Sequence, residues 1–237
     1  MKRILWCSIL LVFSVLSVPV LIPAGVSSVD NSLKLVRGSP FTGENESYNG
    51  KMLVVSKYVS GHKQGIERHF YESGNLAIEM IYVDSVQQGN EVHYYESGVK
   101  KAIIEFKNGL KHGDMTSWYP SGKILGVARF ENNHHSGRSL AWFENGNPRA
   151  EGNFLNGHQN GIEIQYYKDG GQKLVGNFLN GKLDGLETQW YQGGQKRSEL
   201  VYREGILTDE QKFWDVNGDY LKDVDIEKFR ERQDFTH

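Results

Sequence analysis

The sequence predicts an all-β protein, an elongated antiparallel β-meander of 24-residue hairpin repeats, on three observations. Glycine recurs with a fixed period. Gly65, Gly89, Gly113, Gly137, Gly161 and Gly185 are 24 residues apart without an insertion, and Gly74, Gly98, Gly122, Gly146, Gly170 and Gly194 follow nine residues later, with Gly218 continuing that series. Together with Gly109, Gly157, Gly181 and Gly205 these columns hold 17 of the 27 glycines, so glycine here is chiefly architectural. Second, the runs between glycines are short and rich in β-branched and aromatic residues, too short for helices. Third, aromatics make up 12% of the chain and proline only 5 residues, which suits turn-rich β-structure and not disorder.

The elements follow in chain order. Lys2 and Arg3 precede an uncharged run over residues 4–22, and "PAGVSSVDNS" then turns small and polar. This three-part layout marks residues 1–28 as a signal peptide or a signal anchor, and its length fits either. In both cases the basic residues stay in the cytoplasm and the remainder is exported, to the periplasm or extracellular space, or is held at the membrane by the segment itself. Residues 29–42 read as a linker. A worn repeat follows, with Tyr48, Asn49-Gly50, Tyr58 and Gly61 in matching places but two residues missing. Six full repeats occupy residues 65–208, and "FWDVNGDY" continues the pattern, so the array spans 43–218. Residues 219–237 read as a C-terminal cap, with "DVDIEKFRERQ" as a short helix over the open last strand.

Within a repeat such as "GIEIQYYKDGGQKLVGNFLNGKLD", residues 162–167 and 173–179 read as strands. Lys168-Asp169-Gly170 is the turn between them, and Asn180-Gly181 is a tight hairpin turn that needs positive φ at both residues. Strands joined by turns this short are antiparallel. Counting the leading glycine as position 0, position 5 holds Phe70, Tyr94, Trp118, Trp142, Tyr166 and Trp190, and position 17 holds Tyr82, Phe106, Phe130, Phe154, Phe178 and Tyr202. Position 15 holds Met80, Ile104, Ala128, Gly152, Gly176 and Leu200. Large and small residues in this pattern are expected to share the buried face. Position 6 holds Tyr71, Tyr95, Tyr119, Phe143, Tyr167 and Tyr191, and is expected on the opposite, wetter face beside Glu67, Glu91, Glu163 and Glu187. These ten residues are the candidate binding positions, because tyrosine gives contact area at low entropic cost. Cross-strand stacking is the alternative role for the tyrosines.

The unit "GxxxxYYxxGxxxxxxxFxNGxxxG" over residues 65–208 resembles the MORN repeat, closest to the bacterial variant labelled as YwqK-type antitoxins. The resemblance implies a twisted sheet of successive hairpins, no catalytic residues and no cofactor. It also implies a role in binding proteins or membranes, the antitoxin label adding neutralisation of a partner protein.

Chemistry and charge narrow the function classes. The formal net charge is −2, and removing residues 1–28 leaves 25 basic against 29 acidic residues, or −4. That excludes a bulk attraction to nucleic acid, and with no Lys/Arg stripe expected it disfavours anionic lipid. Cys7 is the single cysteine, so no disulfide framework or thiolate metal site forms. His112, His134, His135 and His158 lie in the segments linking repeats and are expected to be solvated turn residues, since equivalent strands stand roughly 9–10 Å apart, too far for shared ligation. The Glu67-x-His69 and Glu91-x-His93 pairs lack a nucleophile or a third ligand, and no nucleotide, hydrolase or zinc fingerprint occurs. The sequence therefore predicts a non-catalytic repeat scaffold without metal or cofactor. Its expected partner is another protein, with cell-wall glycan or membrane recognition as the alternative.

Overall fold

The computed structural model describes residues 40–221. The signal or anchor segment, most of the linker and the helical cap expected beyond residue 221 lie outside the described residues. Among the described residues 20 strands form one antiparallel sheet and no residue is helical.

Pairing follows the chain. Gly43–Asn49 pairs with Met52–Val59, that strand with Gly65–Phe70, and then Leu76–Val83, Val86–Tyr94, Lys100–Lys107, Leu110–Trp118 and Ile124–Glu131 follow, each against its predecessor. Gly137–Trp142, Pro148–Leu155, Gly161–Tyr166, Gln172–Leu179, Gly185–Trp190, Lys196–Arg203 and Ile206–Trp214 complete the meander. Tyr220–Leu221 adds a last two-residue strand where the cap was expected to begin. Two kinds of turn alternate. Between repeats the link is two residues, as at Asn180 (φ 51°) and Gly181 (φ 79°), the left-handed pair that the strand twist requires. Within a repeat five residues are closed by two main-chain bonds, Gly74 N–H to Tyr71 C=O and Tyr71 N–H to Asn75 C=O, both 2.9 Å. In the first hairpin only Gly50 and Lys51 lie between paired Asn49 and Met52, and its ladder lacks the bulge of the later ones, so Gly43 and its partner Tyr58 are two residues closer in sequence than Gly65 and Tyr82.

Register decides the faces. Gly65 pairs with Tyr82, Glu67 with Met80 and His69 with Ile78, so positions 0, 2 and 4 share a face with positions 17, 15 and 13. The pairing corrects the sequence expectation in two respects. The position 5 aromatics lie on the opposite, outer face from the position 17 aromatics, and the glutamates lie on the same inner face as the core. The cause is that paired positions sum to an odd number, so even positions of the first strand meet odd positions of the second. The core is accordingly an inner-face row that includes Met80, Ile104, Met115, Ala128, Phe178, Leu200 and Phe213, all buried. A large side chain buried there stabilises by roughly 1.5–3 kcal/mol.

Candidate interaction surface

Position 2 places four carboxylates on the inner face: Glu67, Glu163 and Glu187 are buried and Glu91 is half-buried. Neighbouring side chains saturate them. Glu67 accepts from Ser56 Oγ at 2.6 Å, from His69 Nε2 at 3.0 Å and from Lys63 Nζ. Burial pulls the Glu67 carboxyl up, but these three bonds outweigh it and hold it at about 2. Glu91 accepts from Gln87 Nε2 at 2.6 Å and His93 Nε2 at 2.5 Å, which outweigh burial and lower its carboxyl. Glu163 accepts from Gln159 and Gln165 at 2.8 and 2.7 Å. Glu187 has one such donor, Gln189 Nε2 at 2.7 Å, and burial with the Glu163 charge pushes its carboxyl up. Room for these groups comes from position 15 of the preceding strand. A Cβ on Gly176 would meet Glu187 Cγ at 3.7 Å, and one on Gly152 would meet Glu163 Cγ at 4.0 Å. The small residues read from the sequence as packing spacers therefore make space for carboxylates. Sequence reasoning could have found this from the succession of Ser or Gly at position 15 and Glu at the next position 2.

The tyrosines of position 6 are half-buried, and their hydroxyls are committed. Tyr71, Tyr95, Tyr119, Tyr167 and Tyr191 each donate to a main-chain carbonyl 23 residues ahead, at 2.7–3.0 Å. Phe143 holds the same place without a hydroxyl. The position 12 residue packs over several of these rings: Lys101 over Tyr95, Lys173 over Tyr167 and Arg197 over Tyr191, at 5.6–5.9 Å. Arg149 stands in the same column, which Ala77 and Leu125 interrupt, so basic residues occupy four of its six places. The tyrosines thus meet neither the glutamates nor an open polar face. They sit at the turn end of the sheet beside cations.

The outer face carries apolar groups where a single-layer sheet would ordinarily carry polar ones. Phe70, Tyr94, Trp118, Trp142, Tyr166, Trp190 and Trp214 recur there, each half-buried. Beside them Val92, Ile103, Thr116, Val127 and Leu140 are direct cross-strand neighbours on five successive strands. Ion pairs flank this row, Arg68 with Glu79 at 2.9 Å and Arg138 with Glu151 at 2.6 Å. No second layer covers the face among the described residues.

The histidines divide. His134 and His158 are exposed and lie against Gly157 and Gly181 of the next turn, each Nδ1 3.4 Å from where a Cβ would stand. His135 departs from the solvated expectation: it is stacked between Phe130 and Phe154, with ring centroids at 5.1 and 3.8 Å. Among the described residues no three His, Cys, Asp or Glu side chains are grouped to hold a metal ion. The hollow over Ser56, Lys63, Glu67 and Tyr82 is too small to admit a ligand.

Four segments match the family model of the MORN repeat variant, residues 63–84, 87–108, 111–132 and 136–156. These four segments are similar to that variant over less than half of the chain, and the same register runs on past them through Gly161–Phe178 and Gly185–Tyr202. Repeats of this kind are generally scaffolds that bind proteins or membranes, and are typically non-catalytic. No curated protein matches the chain. Among solved structures, a chain of "Crystal structure of accessory secretory protein 1,2 and 3 in Streptococcus pneumoniae" is similar at 15% identity over 41% of this chain, with a TM-score of 0.27. The match spans only 18% of that chain's length.

Proposed function

We propose that the chain is a non-catalytic scaffold, exported or held at a membrane by its N-terminal segment, that binds another protein along the outer face of the sheet. The observation that carries this reading is the row Val92, Ile103, Thr116, Val127 and Leu140 beside Trp118 and Trp142, which no second layer covers among the described residues. Apolar groups ringed by ion pairs are the ordinary anatomy of a protein-binding patch. An antitoxin-like or immunity role is a special case, in which the bound protein is a toxin encoded nearby. The position 6 residues Tyr71, Tyr95, Tyr119, Phe143, Tyr167 and Tyr191 are proposed to take part through their rings, their hydroxyls being bonded internally. Glu67, Glu91, Glu163 and Glu187 are proposed to act only by supporting the face from beneath.

A second reading, recognition of cell-wall glycan or membrane headgroups, draws on the basic residues over Tyr95, Tyr167 and Tyr191, since a cation beside an aromatic ring suits an anionic saccharide. A photo-crosslinking residue at Thr116, introduced in the protein's own cells, tests the choice. One recurrent protein adduct, lost in Val127→Arg with unchanged thermal stability, is the expected result. Adducts with glycan or lipid alone would overturn it in favour of the second reading.

A further inference from the structure

We propose that the free edge of the first strand, Gly43–Asn49, is a strand-addition site for an extended, cationic segment of a partner protein. This strand pairs with Met52–Val59 on one side and, among the described residues, with no strand on the other. Its outward N–H and C=O groups are a template for one more strand.

Apart from two carboxylates, the edge lacks the devices that usually blunt such templates. It is seven residues long and contains no proline. Its ladder runs through seven pairs without a register shift, whereas every other ladder of five or more pairs contains one. A bulge bends and twists an edge away from pairing, and the Gly43–Asn49 ladder has none. The described residues leading into it, 40–42, do not cross it. Phe41 C=O accepts from Gly61 N–H at 2.7 Å, Thr42 Oγ1 accepts from Ser60 N–H at 2.8 Å, and the Phe41 ring lies 5.9 Å from Tyr58, all on the side of the second strand.

Charge selects the occupant. Glu44, Glu46 and Tyr48 alternate onto one face of the strand and all three are exposed. Neither carboxylate has an ion pair or hydrogen bond among the described residues. Glu46 begins a cross-strand row that runs through Val55 and Arg68 to Glu79, in which the charged neighbours are paired with the opposite sign. A second copy of the same strand fits badly. Antiparallel pairing centred on Asn45 sets Glu44 opposite Glu46, and centred on Glu46 it sets that carboxylate opposite itself, and like charges directly opposite are destabilising. The fitting segment alternates Lys or Arg, facing Glu44 and Glu46, with small residues facing Asn45 and Ser47. The row from Glu46 continues through Glu79 to Val92 of the outer-face patch, but strand addition uses the main-chain groups of residues 43–49 and not the apolar side chains, so failure here leaves the protein-binding reading of that patch intact.

The test uses the full chain and two synthetic peptides of about nine residues, Lys-Thr alternating and Glu-Thr alternating. The Lys peptide is expected to bind with saturation and to slow amide exchange within residues 43–49. Its affinity should fall about tenfold in the double variant Glu44→Lys, Glu46→Lys, and on raising salt from roughly 50 to 500 mM. Equal binding of the Glu peptide, or no loss in the double variant, would overturn the proposal. So would protection, before any peptide is added, of those amides in residues 43–49 that point away from the second strand: if independent of concentration, it assigns the edge to this chain's own upstream residues, and if it rises with concentration, to a second copy.

Discussion

The Tyr95 hydroxyl donates to the main-chain carbonyl of Trp118 at 2.8 Å, one repeat ahead. The same reach joins Tyr71 to Tyr94, Tyr119 to Trp142, Tyr167 to Trp190 and Tyr191 to Trp214. In a repeat array stability is a sum of unit and neighbour terms, and this bond is a neighbour term made identically five times. Phe143 interrupts it, so the Tyr166 carbonyl lacks the donor its equivalents have. Tyr95→Phe is expected to cost about 0.5–1.5 kcal/mol, and Phe143→Tyr to add a similar amount. Urea midpoints at unchanged slope measure both, and a Tyr95→Phe midpoint equal to the parent's would show that the bond has no net value.

Gly152 and Gly176 occupy the same column, yet alanine should affect them oppositely. A Cβ at Gly176 meets Leu183 Cδ2 at 3.1 Å, tight enough that the leucine must move, whereas at Gly152 nothing is nearer than 4.0 Å. Gly176→Ala is expected to destabilise by about 1–3 kcal/mol through overpacking. Gly152→Ala is expected to be neutral or to stabilise by up to about 1 kcal/mol, because alanine restricts the unfolded chain. Thermal melts of the two variants against the parent decide it.

The repeat period, the antiparallel hairpins and the left-handed Asn180-Gly181 turn were legible in the sequence because each follows from local chemistry: glycine spacing, strand length and turn residues. The faces were not. Alternation within a strand says which residues lie together on that strand, but matching one strand's faces to the next requires the register, which here depends on a five-residue turn and on a bulge between His69 and Phe70. That is why Glu67 was expected on a wet face and stands instead beside Met80. The hydroxyl ladder was hidden for a related reason. Tyr95 and Trp118 are 23 residues apart, and only the stacking of repeats brings one ring to the other's main chain.

Glu67 and Glu187 occupy equivalent places and should titrate with opposite consequences. The folded Glu67 carboxyl lies at about 2, below its ordinary 4.5, so the stability it supplies is complete above about pH 4.5 and is lost as pH falls toward 2. The folded Glu187 carboxyl is raised, so folding favours protonation relative to the unfolded chain, and the stability this gives below pH 4.5 is lost as pH rises through the folded value. At pH 7 Glu67→Gln should therefore lower Tm and Glu187→Gln should raise it. Melts at pH 7 and pH 4 are the check, and a Tm decrease for Glu187→Gln at pH 7 would show that the Gln189 bond outweighs burial.

His135 provides the clearest pH dependence above pH 5. Its ring is stacked between Phe130 and Phe154, and its Nε2 is buried without a hydrogen-bond partner. Lys111 Nζ lies 5.6 Å from the Phe130 centroid and is no negative partner for an imidazolium. Burial consequently lowers the histidine below its ordinary 6.5. The unfolded chain then takes up a proton at a higher pH than the folded one does. Stability is full above pH 6.5 and declines as pH falls from there through the folded value. Gln87 and Gln159 stand in the same column, so His135→Gln is a substitution the repeat already accommodates. The parent Tm should drop more between pH 7.5 and pH 5.5 than that of His135→Gln, because the variant cannot take up the proton that the unfolded parent does. Parallel curves for the two would mean that the folded and unfolded histidines titrate alike, and that the aromatic sandwich does not exclude the charged ring.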